Sequence, residues 1–319
     1  MNRRNILVIL TLSLSLVPAV IYSPAISSEV NLNVDLQGHR GSGGLEPENT
    51  WPAVRTAMLE GMTTIEIDLH YTRDKKFVLH HDYRLSPKQC VTLSGRRVPR
   101  VRVSEMNSDW LSNIHCAKDV DNKKQEESTL ITLEHLFRLV TDYEIKYPLL
   151  KKSGFSLELK LDLADTKKKN EIARALVKVL EKSKMLKRVM ITSFHFDVFH
   201  ELKKSNPDIG TQVNLRKQRH FKTLKLIKKI RDLNLSTGFA VVDGVSLHQK
   251  NATKDVINYC HNSQLKVYVY TVNNTYKMQH YLNLGVDGIV TDYPNRLRHV
   301  FLNWYSMAVA KELFMATQG

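Results

Sequence analysis

The segment Ile65-Glu66-Ile67-Asp68-Leu69 alternates apolar side chains with carboxylates, the pattern of a β-strand that has one apolar and one charged face. Two carboxylates on the same face of a strand repel each other unless a cation or a proton lies between them. Core packing alone does not explain such a segment. We therefore interpret it as a strand that carries part of a functional site.

Short apolar strands and amphipathic helical patterns alternate along the chain on both sides of this segment. We predict strands over 36–41, 63–69, 155–160, 189–193, 210–215, 239–246, 266–271 and 288–291. Predicted helices cover 47–60, 170–182, 198–205, 222–233, 254–262 and 276–284, with stops at Gly61 and Gly285. Regular alternation implies a parallel sheet, and eight units favour an α/β fold of the (β/α)8 TIM-barrel type over an open doubly wound sheet.

The spacing between the second and third barrel strands is too long for a single crossover. Residues 77–79 predict an extra short strand, residues 83–128 an irregular insertion after the second barrel strand, and residues 133–140 a helix. We expect the insertion beside the carboxyl-terminal face of the barrel, where loops shape active sites. The predicted organisation is a signal peptide over 1–27, a barrel domain over 28–301 and a helical C-terminal tail over 302–319.

The N-terminus has the features of a secretory signal: Arg3 and Arg4, an apolar run over 6–22 and a small-residue cleavage site at 25–27. An uncleaved membrane anchor is the alternative, but two prolines and several serines favour cleavage. We expect an exported protein, periplasmic or secreted. Export predicts a disulfide between Cys90 and Cys116, which lie in the same insertion, and leaves Cys260 as a buried thiol on a helix.

The chain carries 47 Lys and Arg against 32 Asp and Glu, a formal net charge of +15. Most of the lysines fall where solvated helix faces are predicted. The excess charge predicts a weak attraction to anionic partners, such as a membrane surface or a phosphorylated substrate. No basic stripe interleaved with aromatic residues is present, so we expect no nucleic-acid partner.

Ionisable residues gather at the ends of three successive barrel strands, where a TIM barrel places its active site. His39 and Arg40 end the first strand, Glu66 and Asp68 the second, and Glu158 and Lys160 the third, while His81 follows the extra strand. Spacing of i and i+2 puts both charged groups of a pair on one face of their strand. Three such carboxylates suit one hard divalent cation, Ca²⁺ or Mg²⁺.

Two further ionisable residues near these ends are given structural interpretations. His80 neighbours His81 but lies on the opposite face of its strand, which favours a packing role. Asp292 ends the eighth strand at the mouth, yet Thr291-Asp292-Tyr293-Pro294 is also typical of a strand-to-helix cap and turn. We favour the structural role for Asp292.

The ordered motifs resemble those of the glycerophosphodiester phosphodiesterases, a family of TIM-barrel enzymes related to phosphatidylinositol phospholipase C. The matching pieces are His39-Arg40-Gly41, Pro47 to Thr50, Glu66-Ile67-Asp68, His81-Asp82, Glu158-Leu159-Lys160, Val267 to Asn273 and Gly285 to Pro294. By position, the resemblance implies that Glu66, Asp68 and Glu158 bind the metal and that His39 and His81 are the acid–base pair. It implies that Arg40 and Lys160 bind the phosphate. Tyr270 stands where the family has a tryptophan, and it keeps an aromatic wall beside the substrate.

The resemblance implies hydrolysis of a small-molecule glycerophosphodiester to glycerol 3-phosphate and an alcohol. The chemistry of the residues agrees, since a glycerol hydroxyl next to the phosphorus can attack it and form a cyclic phosphate. A lysophospholipase D or a sphingomyelinase D-like phosphodiesterase would share His39, Glu66, Asp68 and His81 and remains an alternative. A second alternative is a secreted protein that binds phospholipid headgroups without catalysis.

Overall fold

The computed structural model describes residues 33–116, 128–161 and 168–317. Within these residues the strands are β1 (Asp35–Gly38), β2 (Thr64–Tyr71), β3 (Phe77–Leu79), β4 (Cys90–Thr92), β5 (Ile114–Cys116), β6 (Gly154–Leu159), β7 (Val189–Ser193), β8 (Gly210–Leu215), β9 (Gly244–His248), β10 (Lys266–Tyr270) and β11 (Gly288–Thr291). The helices are α1 (Trp51–Leu59), α2 (Ser108–Leu111), α3 (Leu133–Lys146), α4 (Lys169–Lys182), α5 (Phe199–Ser205), α6 (His220–Thr237), α7 (Lys254–Asn262), α8 (Thr275–Asn283) and α9 (Pro294–Ala316).

Eight of these strands form a closed parallel barrel. Around the barrel the order is β1, β2, β6, β7, β8, β9, β10 and β11, and β1 pairs with both β2 and β11. Helices α1 and α3 to α8 lie between successive barrel strands along the chain, and α9 follows the last strand. The predicted (β/α)8 TIM barrel is therefore confirmed.

The alternation seen in β2 separates the apolar core from the interior of the barrel. Ile65, Ile67 and Leu69 are buried in the main hydrophobic core. Glu66 and Asp68 lie on the other face of β2 and line the interior cleft. Small polar residues from other strands share that interior and are also buried: Gln37, Ser156, Thr192, Gln212 and Ser246. A polar barrel interior explains why so many of the strands alternate instead of being apolar throughout.

Several predicted element boundaries differ from the structure. Strand β1 ends at Gly38 instead of residue 41, and α3 continues to Lys146 instead of residue 140. Local hydrogen bonds explain two further differences. Helix α1 begins at Trp51 instead of residue 47, because Asn49 has φ +59° and the Thr50 hydroxyl accepts a hydrogen bond from the Ala53 N–H. Strand β9 begins at Gly244 instead of residue 239. There, the Asn234 side-chain oxygen accepts the N–H groups of Val241 and Val242 at 2.9 and 3.0 Å, which removes those donors from a strand ladder.

The described part of the insertion, up to Cys116, contains more regular structure than the sequence predicts. Strand β3 pairs antiparallel with β2, and β4 pairs antiparallel with β5. A small second core beneath them contains Val78, Leu85, Val98, Val103, Leu111, Ile114 and Leu130. The Tyr83 hydroxyl donates to the Leu161 carbonyl, just past the end of β6, so the insertion starts beside the carboxyl-terminal face of the barrel.

The predicted disulfide is confirmed: Cys90 and Cys116 lie opposite each other in β4 and β5 and are bonded. Cys260 is a free, buried thiol on α7. Burial, aided by the charge of Asp287, raises the pKa of the Cys260 thiol to about 12, which disfavours the reactive thiolate form.

Thiol counting tests this pairing directly. We expect one free thiol in protein denatured without reductant, and none in the Cys260→Ala variant. Replacing both Cys90 and Cys116 with alanine should lower the free energy of unfolding by about 3 kcal/mol, because the bridge closes a loop of 26 residues. Chemical denaturation measures this loss. Three free thiols in the oxidised wild type would contradict the pairing.

The described residues include only part of the two terminal segments that the sequence predicts. The predicted signal peptide over 1–27 lies outside the described residues. The predicted tail from residue 302 continues α9, which runs without a break from Pro294 to Ala316. Among the described helices, none combines the length and the apolar character that crossing a membrane requires.

Candidate active site

The turn after β1 brings the His39-Arg40-Gly41 motif against β2. Arg40 has φ +53° and Gly41 φ +84°, both in the left-handed region. A Cβ on Gly41 would lie 2.6 Å from the Ala53 carbonyl carbon, so only glycine fits against α1. This turn directs the Arg40 N–H to the Glu66 carboxylate at 2.8 Å.

The three predicted metal ligands converge. Strand register pairs Asp68 with Glu158 across β2 and β6, and Glu66 lies two residues earlier on the same face. Each of the three residues offers a carboxylate oxygen, and these oxygens lie within 4.8 Å of one another. All three side chains are buried. Glu158 also accepts a hydrogen bond from the Asn214 amide at 2.9 Å.

The electrostatics of this cluster fit a bound divalent cation. Burial, followed by the negative charge of Asp68, raises the pKa of Glu66 to about 8. The ionised form of Glu66 needs more positive charge nearby than the side chains around it provide. A cation bound among the three carboxylates would supply that charge. Oxygen ligands of this kind are the donors that Ca²⁺ and Mg²⁺ prefer. The residues present therefore fit the metal that the sequence predicts.

Two basic side chains contact the cluster from the cleft. The Lys160 ammonium lies 2.9 Å from Asp68 Oδ1 and also contacts Glu158. The Arg40 guanidinium lies 3.4 Å from Asp68 Oδ2 and 2.8 Å from Glu48. Burial alone would raise the pKa of Asp68, but Lys160 and Arg40 outweigh it and hold that pKa well below its usual range.

His39 is held by a carboxylate from the opposite end of the chain. Its Nδ1 lies 2.6 Å from Asp292 Oδ1, and Asp292 Oδ2 accepts a hydrogen bond from the Asn273 amide at 2.6 Å. Burial raises the pKa of Asp292, but the hydrogen bond and charge of His39 outweigh it, and the pKa falls to about 2. Because an ionised carboxylate only accepts, His39 donates from Nδ1 and directs Nε2 toward Glu66, 3.9 Å away.

The same contacts set the protonation of His39. Burial lowers the pKa of His39, but the hydrogen bond to Asp292 and the charge of Glu66 together raise it above its ordinary value.

The predicted cap role of Asp292 is wrong, since Tyr293 occupies the N-cap of α9 and no side chain caps that helix. Asp292 is instead a positioning residue for His39.

His81 reaches the cleft from the loop after β3. Its Nδ1 lies 2.8 Å from Asp82 Oδ1, and its side chain is 35% exposed. His80 points elsewhere: its ring lies 6.3 Å from the ring of His70, and its Nε2 is buried. Of these two neighbours, His81 lines the cleft and His80 does not.

One cleft at the carboxyl ends of the barrel strands collects all eight predicted site residues. They are His39, Arg40, Glu66, Asp68, His81, Glu158, Lys160 and Tyr270. Tyr270 forms part of one wall, and its hydroxyl donates to the Leu215 carbonyl at 3.1 Å.

Comparison with known proteins agrees with this geometry. The model of the glycerophosphoryl diester phosphodiesterase family matches residues 39–296. The chain belongs to this family. A glycerophosphodiester phosphodiesterase of Bacillus altitudinis is 27% identical over an alignment of 267 residues, and the match covers 81% of this chain and 94% of the relative.

Solved structures have the same barrel fold as this chain. One from Silicibacter pomeroyi aligns with a TM-score of 0.71 at 23% identity, over 85% of this chain and 93% of its own. An Oleispira antarctica phosphodiesterase, solved in complex with the product sn-glycerol-3-phosphate, aligns with a TM-score of 0.66 at 21% identity. That alignment covers 83% of this chain and 96% of the Oleispira chain.

The sequence did not assign roles to several residues of this phosphodiesterase site. Asn49 donates to Asp68 Oδ2 at 2.8 Å and accepts the Asp68 N–H at 3.0 Å, so it fixes one metal-ligand candidate. Asn273 fixes Asp292 in the same two-way manner, through a second bond of 2.9 Å to the Asp292 N–H. Both asparagines lie within motifs that the sequence did identify. Their positions were therefore visible in the sequence, but their partners were not.

Proposed function

We propose that the protein hydrolyses glycerophosphodiesters to glycerol 3-phosphate and an alcohol with the help of one divalent cation, Ca²⁺ or Mg²⁺. The observation that carries this proposal is the juxtaposition, in one cleft, of three buried carboxylates and two histidines. The glycerol 3-phosphate bound to the Oleispira antarctica relative supports the same product here.

Glu66, Asp68 and Glu158 would hold the cation. When bound, it supplies positive charge against the oxygens of the phosphodiester. Arg40 and Lys160 line the same cleft and add fixed positive charge, which offsets the repulsion between the anionic phosphodiester and an incoming nucleophile. The Tyr270 ring provides a wall for the substrate.

His39 and His81 perform the proton transfers. One histidine accepts the proton of the glycerol 2-hydroxyl as its oxygen attacks the phosphorus, and the other protonates the departing alcohol oxygen. The product of this step is a cyclic phosphate. With the roles exchanged, water attacks the phosphorus, the bond to the 2-oxygen breaks, and that oxygen regains a proton to give glycerol 3-phosphate. A hydroxyl already attached to the substrate attacks efficiently because of its proximity.

We also propose that the chain is exported and that residues 1–27 direct this export. The Cys90–Cys116 disulfide supports the proposal, since such bonds persist mainly in oxidising compartments. The net charge of +15 supports a weak attraction of the exported protein to anionic membrane surfaces.

Chelation tests the metal requirement. Excess chelator should abolish hydrolysis of glycerophosphocholine, and added Ca²⁺ or Mg²⁺ should restore it. Because Glu66→Gln keeps shape but removes one negative charge, it should raise the cation concentration needed for half-maximal activity by at least about tenfold. The cation-dependent rise in Tm of the same variant should weaken in parallel, which is a readout independent of turnover.

Glu181→Gln on the outer face of α4 is the matched control and should leave the cation requirement unchanged. Full activity in excess chelator would contradict the metal-dependent mechanism. An assay of lysophosphatidylcholine beside glycerophosphocholine distinguishes the proposed activity from the alternative. Much faster cleavage of the lysophospholipid would favour a lysophospholipase D.

A further inference from the structure

An arginine covers an aromatic ring at the mouth of the cleft. Phe194 follows β7 and lines the cleft. Arg216 follows β8, and its guanidinium carbon lies 4.2 Å from the centroid of the Phe194 ring. This is a close cation–π stack, and a guanidinium that stacks by its face directs its N–H groups outward along its edge, where they can bind a ligand.

Carboxylates do not neutralise this arginine. Asp197 and Glu201, which follow β7, pair with Lys169 and Arg174. Over the described ranges, no carboxylate forms an ion pair with Arg216, and its side chain is exposed at the rim. The positive charge therefore faces the open end of the cleft.

Further cations lie near His248, at the carboxyl end of β9. The ring of His248, the last residue of β9, packs edge-on against the cleft residue Tyr270 at 6.0 Å. Burial lowers the pKa of His248, and the nearby charges of Lys217, Lys250 and Lys277 lower it further. Among the described residues, these three lysines also have no carboxylate ion-pair partner. We use "the cationic rim" for Arg216, Lys217, Lys250 and Lys277.

The cationic rim lies where the variable part of a substrate would extend. In the proposed function, on which this inference rests, the glycerol hydroxyl and the departing oxygen must each reach a histidine, and the phosphorus must reach the buried carboxylates. The variable part of the departing alcohol lies beyond its oxygen, and we place it at the open end of the cleft beside Phe194, on whose ring Arg216 stacks.

We propose that the cationic rim selects glycerophosphodiesters whose alcohol bears an additional anionic group, such as a second phosphate. Arg216 would bind that group with charge-assisted hydrogen bonds, while the lysines add a favourable field. A quaternary ammonium alcohol is disfavoured for two reasons. The Phe194 face that could receive it is already occupied by a guanidinium, and like charges repel at the rim.

Two esters that differ only by one phosphate group test this selection. Glycerophosphoinositol 4-phosphate and glycerophosphoinositol share the same ring, and glycerophosphocholine supplies a cationic alcohol. With saturating cation, we expect kcat/KM for the phosphorylated inositol ester to exceed that of the unphosphorylated ester by about tenfold. The difference should appear mainly in KM and should shrink at high ionic strength.

Arg216→Gln should bring the ratio of these two kcat/KM values to near one. It should also raise kcat/KM for glycerophosphocholine by about fivefold, because the Phe194 face becomes free and the repulsion falls. Loss of folding cannot produce such a gain. The matched control is Arg138→Gln, on the exposed face of the outer helix α3, and it should keep the wild-type ratio.

A wild-type ratio at or below one, or a ratio that Arg216→Gln does not change, would overturn the selection while hydrolysis itself persists. Equal or faster cleavage of glycerophosphocholine than of the phosphorylated inositol ester by the wild type would also overturn it. If the wild type cleaves none of the three esters, the proposed function fails, and this inference fails with it.

Discussion

Alanine at His39 or at His81 should lower kcat by about 10²–10⁴-fold while the protein stays folded. The structure gives each imidazole a carboxylate partner, Asp292 for His39 and Asp82 for His81, and both rings line the cleft. The double variant should lose little more than either single variant, because removing one member already interrupts the transfer of protons. Steady-state kinetics on glycerophosphocholine, with circular dichroism to verify folding, measures these losses.

His80→Ala is the matched control for the two histidines. His80 is adjacent in sequence but does not line the cleft, so we expect kcat within about threefold of the wild type, together with a modest loss of stability from the lost packing. If His80→Ala were as damaging to kcat as His81→Ala, the assignment of His81 as the proton-transfer residue would be wrong.

The parts of this site that the sequence predicts are those governed by local geometry. Side chains at i and i+2 of a strand must share a face, so Glu66 with Asp68 could be paired from spacing alone. Parallel strands with helical crossovers put their carboxyl ends on one side of the barrel, which brings Glu158 next to Asp68. Chemistry then follows from the residue types, because three converging carboxylates repel one another unless a cation or a proton lies between them, and their oxygen atoms suit a divalent cation.

The parts that the sequence misses depend on contacts between distant segments or on side-chain competition for the backbone. His39 and Asp292 are 253 residues apart in the chain, and nothing local to Asp292 distinguishes a partner of His39 from a helix cap. Strand 239–246 is predicted to begin too early, and side-chain competition for the backbone is the reason. Asn234 takes the N–H groups of Val241 and Val242, and an apolar pattern does not record that competition.

Asp292→Asn should lower kcat by about 10²–10⁴-fold and change KM by less than about threefold. The carboxylate now accepts hydrogen bonds from two donors, His39 Nδ1 and the Asn273 amide. An amide side chain offers a single acceptor oxygen. If that oxygen keeps the bond to Asn273, its NH₂ group faces His39 Nδ1 and favours the tautomer with the proton on Nε2. If it keeps the bond to His39, the ring still loses the negative charge that stabilises its protonated form.

A second histidine–aspartate pair provides the control for Asp292→Asn. His261 Nε2 lies 2.8 Å from Asp287 Oδ2, and Asp287 precedes β11, at the end of the barrel opposite the cleft. Asp287→Asn should therefore cost a comparable amount of stability but leave kcat within about twofold of the wild type. Tm and kcat measured on both variants separate the two effects. A kcat for Asp292→Asn within tenfold of the wild type would contradict the positioning role, because both routes open to the amide deprive His39 of the orientation or the charge that proton transfer needs.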